Sequence, residues 1–445
     1  MTPARGALLV AAVALARGLL VAWVIPPFHG VDEPAHFDYA QRLLEARALP
    51  EPTAGCDELS PEVKAAVVAL VEPINFRPER PFPDATGLRM PDPRLASSRA
   101  THGCTAVAFY PPLYYASAAA AMAPVRTAPL FTRLLAARSS SVLWGALAAV
   151  AACFGGIWLF GTVVAGVQLG LLVALQPMLS FLFSVVNSDA ALFAGCSISL
   201  AGMAAVHTGQ RRARGLLAVA GGALIAALSK PTLLPMLPCL FVLALAALGF
   251  RSRWNALRAA IALTPAAATG LAWSIAAAGA GLGVPAGTPR PIGLRDFLAD
   301  FVFDRQRLAF LWHRTYWMAW GWADTWLGLH HYVLIGAVLA AAAACALVGW
   351  RNLQPSGRGL LAAGALGTAL SVGCLYALDF LFVRRTGGGL LQGRYLLGLF
   401  PLHAAMLLTA FRAGAPRVDP GWSLVAFLVA LDGASVLRAL VRYHA

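Results

Sequence analysis

Long apolar runs separated by short polar gaps dominate the chain, and a helix needs about 20 such residues to cross a bilayer. Runs of this kind lie near 6–25, 139–160, 163–186, 190–206, 215–229, 232–250, 259–278, 331–350, 359–380, 395–411 and 422–440. The pattern predicts an all-α polytopic membrane protein, one domain over 1–445 with about eleven spans (10–13). Segment 107–130 has the length of a span but contains Pro111, Pro112 and Pro124, and each proline removes a helical hydrogen bond. The first run exits through Pro26-Pro27-Phe28-His29-Gly30 without a small-x-small cleavage site, so it reads as an uncleaved span. Its Arg17 would cost roughly 2.5–3.5 kcal/mol facing lipid, which predicts that it faces the bundle interior.

Short cytoplasmic loops are enriched in Lys and Arg. If the N-terminus is inside and 107–130 does not cross, the gaps 211–214, 251–258, 351–358 and 412–417, all rich in arginine, fall together on the inner side. The expected topology therefore has a cytoplasmic N-terminus, with an interfacial or re-entrant helix in 107–130. Three polar regions then lie outside: the long loop 26–138 with interfacial helices, the loop 279–330 and the short loop 381–394.

Composition agrees with a bilayer as solvent: 59% of residues are hydrophobic and only 12% charged, too apolar for an ordinary soluble domain. The net charge of +14 does not point to nucleic acid, because the arginines sit in gaps between apolar runs and not in a basic, aromatic-interleaved patch. Five cysteines lie in apolar segments, where thiols act as small hydrophobes. Cys56 and Cys104 fall in the long outer loop, where they are either a disulfide, if the compartment is oxidising, or two free thiols.

Candidate chemistry gathers at the outer ends of the spans. Val31-Asp32-Glu33-Pro34-Ala35-His36-Phe37 reads as the start of a helix running to about Ala46, with Glu33 as N-cap and Pro34 in the first turn. Its stripe of Phe37, Ala40, Leu43, Leu44 and Ala48 suits a membrane surface, and Asp32 and His36 at i, i+4 can share a face. Asn187-Ser188-Asp189 places an acid between apolar helices, where it is costly without a partner or cavity; the plainer role is a helix cap. Lys230-Pro231 is either a snorkelling lysine or an anion site at a helix start. Gln392-Gly393-Arg394-Tyr395 offers an arginine to a phosphate, and Trp320-Gly321-Trp322-Ala323-Asp324 fits an interfacial aromatic belt or a site. Outer carboxylates, outer cations and a surface helix together suit a lipid-linked anionic substrate with its head at the interface.

The ordered set Asp32-Glu33-Pro34-Ala35-His36-Phe37, Tyr110-Pro111-Pro112-Leu113-Tyr114-Tyr115, Asn187-Ser188-Asp189, Ser229-Lys230-Pro231, Gly321-Trp322-Ala323-Asp324 and Gln392-Gly393-Arg394-Tyr395 resembles a bacterial membrane family of unknown function that is similar to the GT-C glycosyltransferases. The likeness covers roughly residues 20–405; Val31 stands where that family usually has proline. It implies a GT-C-like helical bundle that transfers a sugar from a polyprenyl-phosphate donor to an envelope glycan, lipid or protein acceptor at the outer face of the bacterial cytoplasmic membrane. By that likeness Asp32 or Glu33 is the general base and Asp189 a second acid. Lys230, Arg394 and Arg138 hold the donor phosphate, while His36, Tyr110, Asn187, Asp324, Gln392 and Tyr395 line the substrate site. Some such enzymes use a divalent cation, Mg or Mn; here its ligands would be Asp32, Glu33 and His36, and no stronger cluster calls for one. The rival expectations are a transporter or flippase of lipid-linked saccharides, which would show inverted repeats or broken mid-membrane helices, and a non-catalytic envelope scaffold.

Overall fold

The computed structural model describes the chain apart from residues 51–57, 76, 78, 84–98, 100–106, 210–211, 251, 280–290, 390, 415–418 and 445. Cys56 and Cys104 lie outside the described residues. The main helices are α1 (Pro3–Val24), α2 (Glu33–Ala46), α3 (Pro61–Ala66), α4 (Leu113–Met122), α5 (Leu130–Phe160), α6 (Val163–Leu175), α7 (Pro177–Leu182), α8 (Asp189–His207), α9 (Arg212–Ala227), α10 (Leu237–Leu248), α11 (Arg253–Gly279), α12 (Leu329–Val348), α13 (Pro355–Thr386), α14 (Phe400–Gly414) and α15 (Pro420–His444). Tight 3₁₀ segments, Pro231–Met236 and Gly393–Leu399, lead into α10 and α14. A two-residue antiparallel pair, Ala319–Trp320 with Thr325–Trp326, is the one departure from helix among the described elements.

Among the described residues, nine helices are long and apolar enough to cross a membrane, the 3₁₀ turns counted with α10 and α14. The protein is thus a multi-pass helical membrane protein. Two of the eleven expected runs differ. The run 215–229 forms the 16-residue α9, about 24 Å long. The run 163–186 is broken at Gln176-Pro177, where proline has no N–H to give. The break leaves polar backbone in an apolar setting, and side chains satisfy it. Gln176 Oε1 accepts from Leu179 N at 2.6 Å, Gln176 Nε2 donates to the Tyr316 carbonyl at 2.7 Å, and Trp320 Nε1 donates to the Pro177 carbonyl at 3.0 Å. Part of the loop 279–330 is therefore drawn down into the bundle instead of lying wholly outside it. Segment 107–130 contributes only the short helices Leu113–Met122 and Ala123–Val125, as the prolines dictate.

The first and last helices run parallel. Gly421, at the start of α15, packs on Gln168, and Gly6 packs on Val163 and Val167; at the other end His444 Nε2 lies 2.9 Å from the Val24 carbonyl. Between these ends Arg17 forms a buried ion pair with Asp432, with the guanidinium 5.9 Å from the Trp320 ring. The expectation that Arg17 faces inward is met, and its partner is a carboxylate 415 residues away.

Helices α8 and α9 approach closely through glycine. A Cβ at Gly222 would stand 2.5 Å from the Gly195 carbonyl oxygen, and one at Gly202 would stand 2.7 Å from that of Gly215. Small residues on both faces let the backbones meet, the usual device where lipid removes the hydrophobic drive for helix pairing.

Candidate functional site

The face on which α1 ends carries the polar residues that the sequence singles out. Asp32, not Glu33, occupies the N-cap position of α2, in the left-handed region (φ 57°), and its side chain makes no capping bond. Capping therefore does not explain the acid, which is half-buried and takes no hydrogen bond among the described residues. Glu33 is fully buried and fully engaged. Its carboxylate accepts Nε and Nη2 of Arg138 at 2.8 and 2.7 Å, Val186 N at 3.0 Å and Gly30 N at 3.2 Å. Arg138 gives its other N–H groups to the carbonyls of Ala22, Ile25 and Pro26. Neither residue has capacity left for a substrate, so of the two adjacent acids expected as base only Asp32 stays open, and Arg138, expected at a phosphate, is used up within the fold. Their pair fixes the end of α1, the turn 26–33 and the segment before Asp189 to one another. Gly30 is needed there because a Cβ would fall 2.8 Å from Val185 Cβ.

Opposite this turn, Asn187 Oδ1 accepts Asp189 N at 2.9 Å and Asn187 N donates to Tyr114 Oη at 2.8 Å. Asn187 thus shapes the start of α8 and aims Asp189. Asp189 Oδ1 accepts Lys230 Nζ at 2.8 Å, with both side chains at most 3% exposed. Burial lowers the Lys230 pKa and the carboxylate of Asp189 opposes that. Lys230 Nζ also stands 5.0 Å over the Tyr110 ring. Arg394 is buried, 5.7 Å from the Tyr395 ring. Asp32 is within electrostatic reach of Lys230, Arg394, Tyr110 and Tyr395. Among the described residues, the buried atoms here without a hydrogen-bond partner include Asp189 Oδ2 and Arg394 Nε, with Ser188 Oγ beside them. Such groups are costly when left unpaired, and a convergent pair of opposite sign fits a site awaiting a polar ligand.

His36 lies beneath this cluster. Its Nδ1 is 2.7 Å from Tyr115 Oη, and its ring stacks on Tyr110 and Tyr115 at 5.8 and 5.7 Å. Burial, reinforced by the positive charges of Lys230 and Arg394, holds the imidazole neutral, well below its ordinary range. Tyr39 completes the stack, 3.7 Å from the Tyr115 ring, and donates to the Tyr110 carbonyl at 3.1 Å. Tyr115 and Tyr39 were not assigned from sequence; the run Tyr110 to Tyr115 was the available signal.

Other expectations change. The first half of α2, Glu33 to Gln41, is buried, so this helix lies inside the cap that the described residues of loop 26–138 form, and does not rest on a membrane surface. Asp38, which the apolar stripe left on the polar side, is buried and accepts Ser60 N and Oγ at 2.6 and 2.7 Å. Beside it Arg133 donates through Nη2 to both oxygens of Glu62 at 2.7 Å and through Nη1 to Gln41. Asp324 belongs to the small hairpin, where it accepts from Thr325 Oγ1 at 3.2 Å and closes on Tyr443. Gln392 precedes the Gly393–Leu399 turn, and its carbonyl accepts Tyr395 N at 3.1 Å. Asp32, Glu33 and His36 do not converge as ligands, since Glu33 turns to Arg138 and His36 to Tyr115. Among the described residues no group of three His, Cys, Asp or Glu side chains is placed to hold a metal.

Neither a curated protein nor a solved structure matches this chain. One family does: its sequence model matches residues 15–403, a stretch that includes all the motifs above. The chain accordingly belongs to the family described as predicted membrane protein (DUF2142).

Proposed function

We propose that the protein is a GT-C-type glycosyltransferase that moves a sugar from a polyprenyl-phosphate donor to a hydroxyl of an envelope acceptor. The observation that carries this reading is the meeting of half-buried Asp32 with buried Asp189, Lys230 and Arg394, with the Asp189 Oδ2 and Arg394 Nε atoms unpaired among the described residues. Asp32 is the open acid. It takes the proton of the acceptor hydroxyl while the oxygen attacks the anomeric carbon. The bond from that carbon to the phosphate oxygen breaks, and its electron pair leaves with the phosphate. Arg394, together with Lys230 poised by Asp189, stabilises the charge that grows on that oxygen. Tyr110 and Tyr395 wall the sugar, and displacement from the opposite face inverts the anomeric centre.

In this reading the arginine-rich gaps are cytoplasmic, the N-terminus is cytoplasmic and the loop face lies outside. The parallel course of α1 and α15 accords with an odd number of crossings. The broken helix α6–α7 is the feature that favours a transporter. Its freed groups, however, are already satisfied within the protein, Leu179 N by Gln176 and the Pro177 carbonyl by Trp320, which favours the enzyme.

The test is sugar transfer in membranes from a panel of radiolabelled polyprenyl-phosphate sugars, comparing wild type with Asp32→Asn, Asp189→Asn and Arg394→Ala at matched expression. Transfer by wild type that is lost in Asp32→Asn supports the assignment. Movement of lipid-linked saccharide across vesicles without transfer to any acceptor would replace it with the transporter.

A further inference from the structure

The loop 279–330 carries an apolar edge that the polar site does not use. Its helical stretch Leu294–Val302 packs on the last turns of α13. Phe297 and Phe301 are buried with Ile292 and Val383 in a small core of their own, and the Phe297 ring meets Phe380 edge-on at 5.1 Å. Farther along, Trp312 Nε1 donates to Tyr376 Oη at 2.6 Å, so the loop is held to α13 at two points. Between them Asp304 Oδ1 accepts Arg307 N at 2.7 Å, and the Arg307 guanidinium lies 4.0 Å over the Phe301 ring. The apolar residues that this core leaves out are large. Leu294 and Phe303 are 61% and 69% exposed, and Leu298 and Leu308 are exposed as well. Exposed apolar edges of this kind mark a surface that meets something other than water.

The length of α13 says what that is. Its 32 residues make about 48 Å of helix, against a hydrocarbon core of about 30 Å. Counted from Leu360, the first residue past Arg358 and Gly359, the core of about 30 Å ends near Asp379 and Phe380. The residues that grip the loop, Tyr376, Phe380 and Val383, therefore stand at the membrane surface, and Trp312 with Tyr376 is the kind of pair that gathers there. Leu378 and Leu381, on either side of Phe380, are exposed too, and most of this span is left uncovered by the rest of the protein. The apolar edge of the loop thus continues a lipid-facing surface. From Leu294 to Leu308 the charges cancel: Arg295, Arg305 and Arg307 stand against Asp296, Asp300 and Asp304.

We propose that Leu294–Leu308 lies in the plane of the membrane surface at the end of α13, as an anchor whose Leu294, Leu298, Phe303 and Leu308 enter the leaflet while Asp296 and Asp300 stay in water. The surface role that the apolar stripe of α2 suggested for that helix, which is buried, falls to this segment. Because its charges cancel, it holds by apolar insertion and not by attraction to anionic lipid. The inference stands whether or not the protein transfers a sugar.

The test uses the full chain in phosphatidylcholine nanodiscs, with an environment-sensitive fluorescent amino acid placed at one position at a time. Leu294, Leu298 and Phe303 sample the apolar edge, Asp296 and Asp300 the other side, and thermal unfolding checks that each variant folds. At the first three, blue-shifted emission, strong quenching by a lipid with a nitroxide near its carbonyls and severalfold weaker quenching by aqueous iodide are expected; the two acidic positions should show the reverse. Adding phosphatidylglycerol to the discs should change none of the five. On the unsubstituted chain, a phosphatidylcholine with a diazirine near its carbonyls should crosslink to peptides from 294–308, and failure of that crosslink overturns the proposal. Equal iodide quenching at all five positions places the segment in water and overturns it. Protection of the apolar edge from both quenchers means that protein covers it, and lipid quenching that appears only with phosphatidylglycerol means that charge holds it; either result overturns the proposal too.

Discussion

Glu33 and Arg138 close on each other as a bidentate pair, Nε to Oε1 at 2.8 Å and Nη2 to Oε2 at 2.7 Å, while Asp32, one residue earlier, points to the opposite neighbourhood of Lys230 and Arg394. Adjacent acids thus have separate work. Removing one partner of a buried pair leaves an uncompensated charge and costs about 3–5 kcal/mol. Glu33→Gln and Arg138→Met should therefore lower thermal stability sharply in purified protein, whereas Asp32→Asn should leave it nearly unchanged and remove sugar transfer. A stable Glu33→Gln with ordinary unfolding would refute the structural role given to Glu33.

Arg17 and Asp432 join the first and last helices inside the bundle. Asp432→Ala should destabilise by a similar 3–5 kcal/mol, because the guanidinium then lies unpaired in an apolar setting. The double change Arg17→Met with Asp432→Leu should recover most of that loss, since it removes both charges. Detergent-solubilised unfolding, followed by tryptophan fluorescence, reads both, and a double variant as weak as the single one would argue against the pair as the cause.

Acid should loosen the cap over the site. Burial lowers the His29 pKa from 6.5 to about 4, and His36 is lowered well below 6.5 by the same cause. As pH falls below 6.5 the unfolded chain takes up both protons and the folded one resists, so stability is lost. Burial raises the Asp38 pKa from 3.8 to about 7, against the hydrogen bonds from Ser60. That effect runs the other way, since the folded carboxyl keeps a proton that the unfolded one releases. The balance is one proton in favour of the unfolded cap between about pH 4 and 6.5, a slope of about 1.4 kcal/mol per pH unit. In Asp38→Asn the opposing term disappears and the slope should roughly double. Limited proteolysis of the cap across this range measures it; a slope that does not change in the variant would show that Asp38 is ionised when folded.

The glycine contact between α8 and α9 should tolerate no side chain. Gly222→Leu meets the Gly195 carbonyl, whereas the neighbouring Gly221 has nothing within 4 Å of its Cβ position. Thermal unfolding should fall steeply for Gly222→Leu and hardly move for Gly221→Leu; equal effects would mean that helix propensity, not close approach, is being read.

Sidedness is tested directly. Cysteines introduced at Arg212 and Arg253 should resist an impermeant thiol reagent in intact cells. Labelling at both would invert the orientation and move the proposed site to the other face.

Hydrophobic run length and the positions of proline were enough to give the membrane class, most helices and the failure of 107–130 to form a full span, because both act locally on the backbone. The short motifs also marked Asp32, Asp189, Lys230 and Arg394, since charge beside an apolar helix is costly wherever the helix goes. Partners were not legible. That Glu33 would turn to Arg138 and leave Asp32 open depends on where Ala22, Ile25, Pro26 and Val186 come together, and that Arg17 would find Asp432 depends on the parallel course of α1 and α15. The break at Gln176-Pro177 needed Tyr316 and Trp320 from 140 or more residues away to satisfy it. Composition and position along the chain tell which groups are expensive to bury; which of them find partners, and that Asp189 Oδ2 and Arg394 Nε are among the buried atoms that do not, is set by contacts between segments remote along the chain.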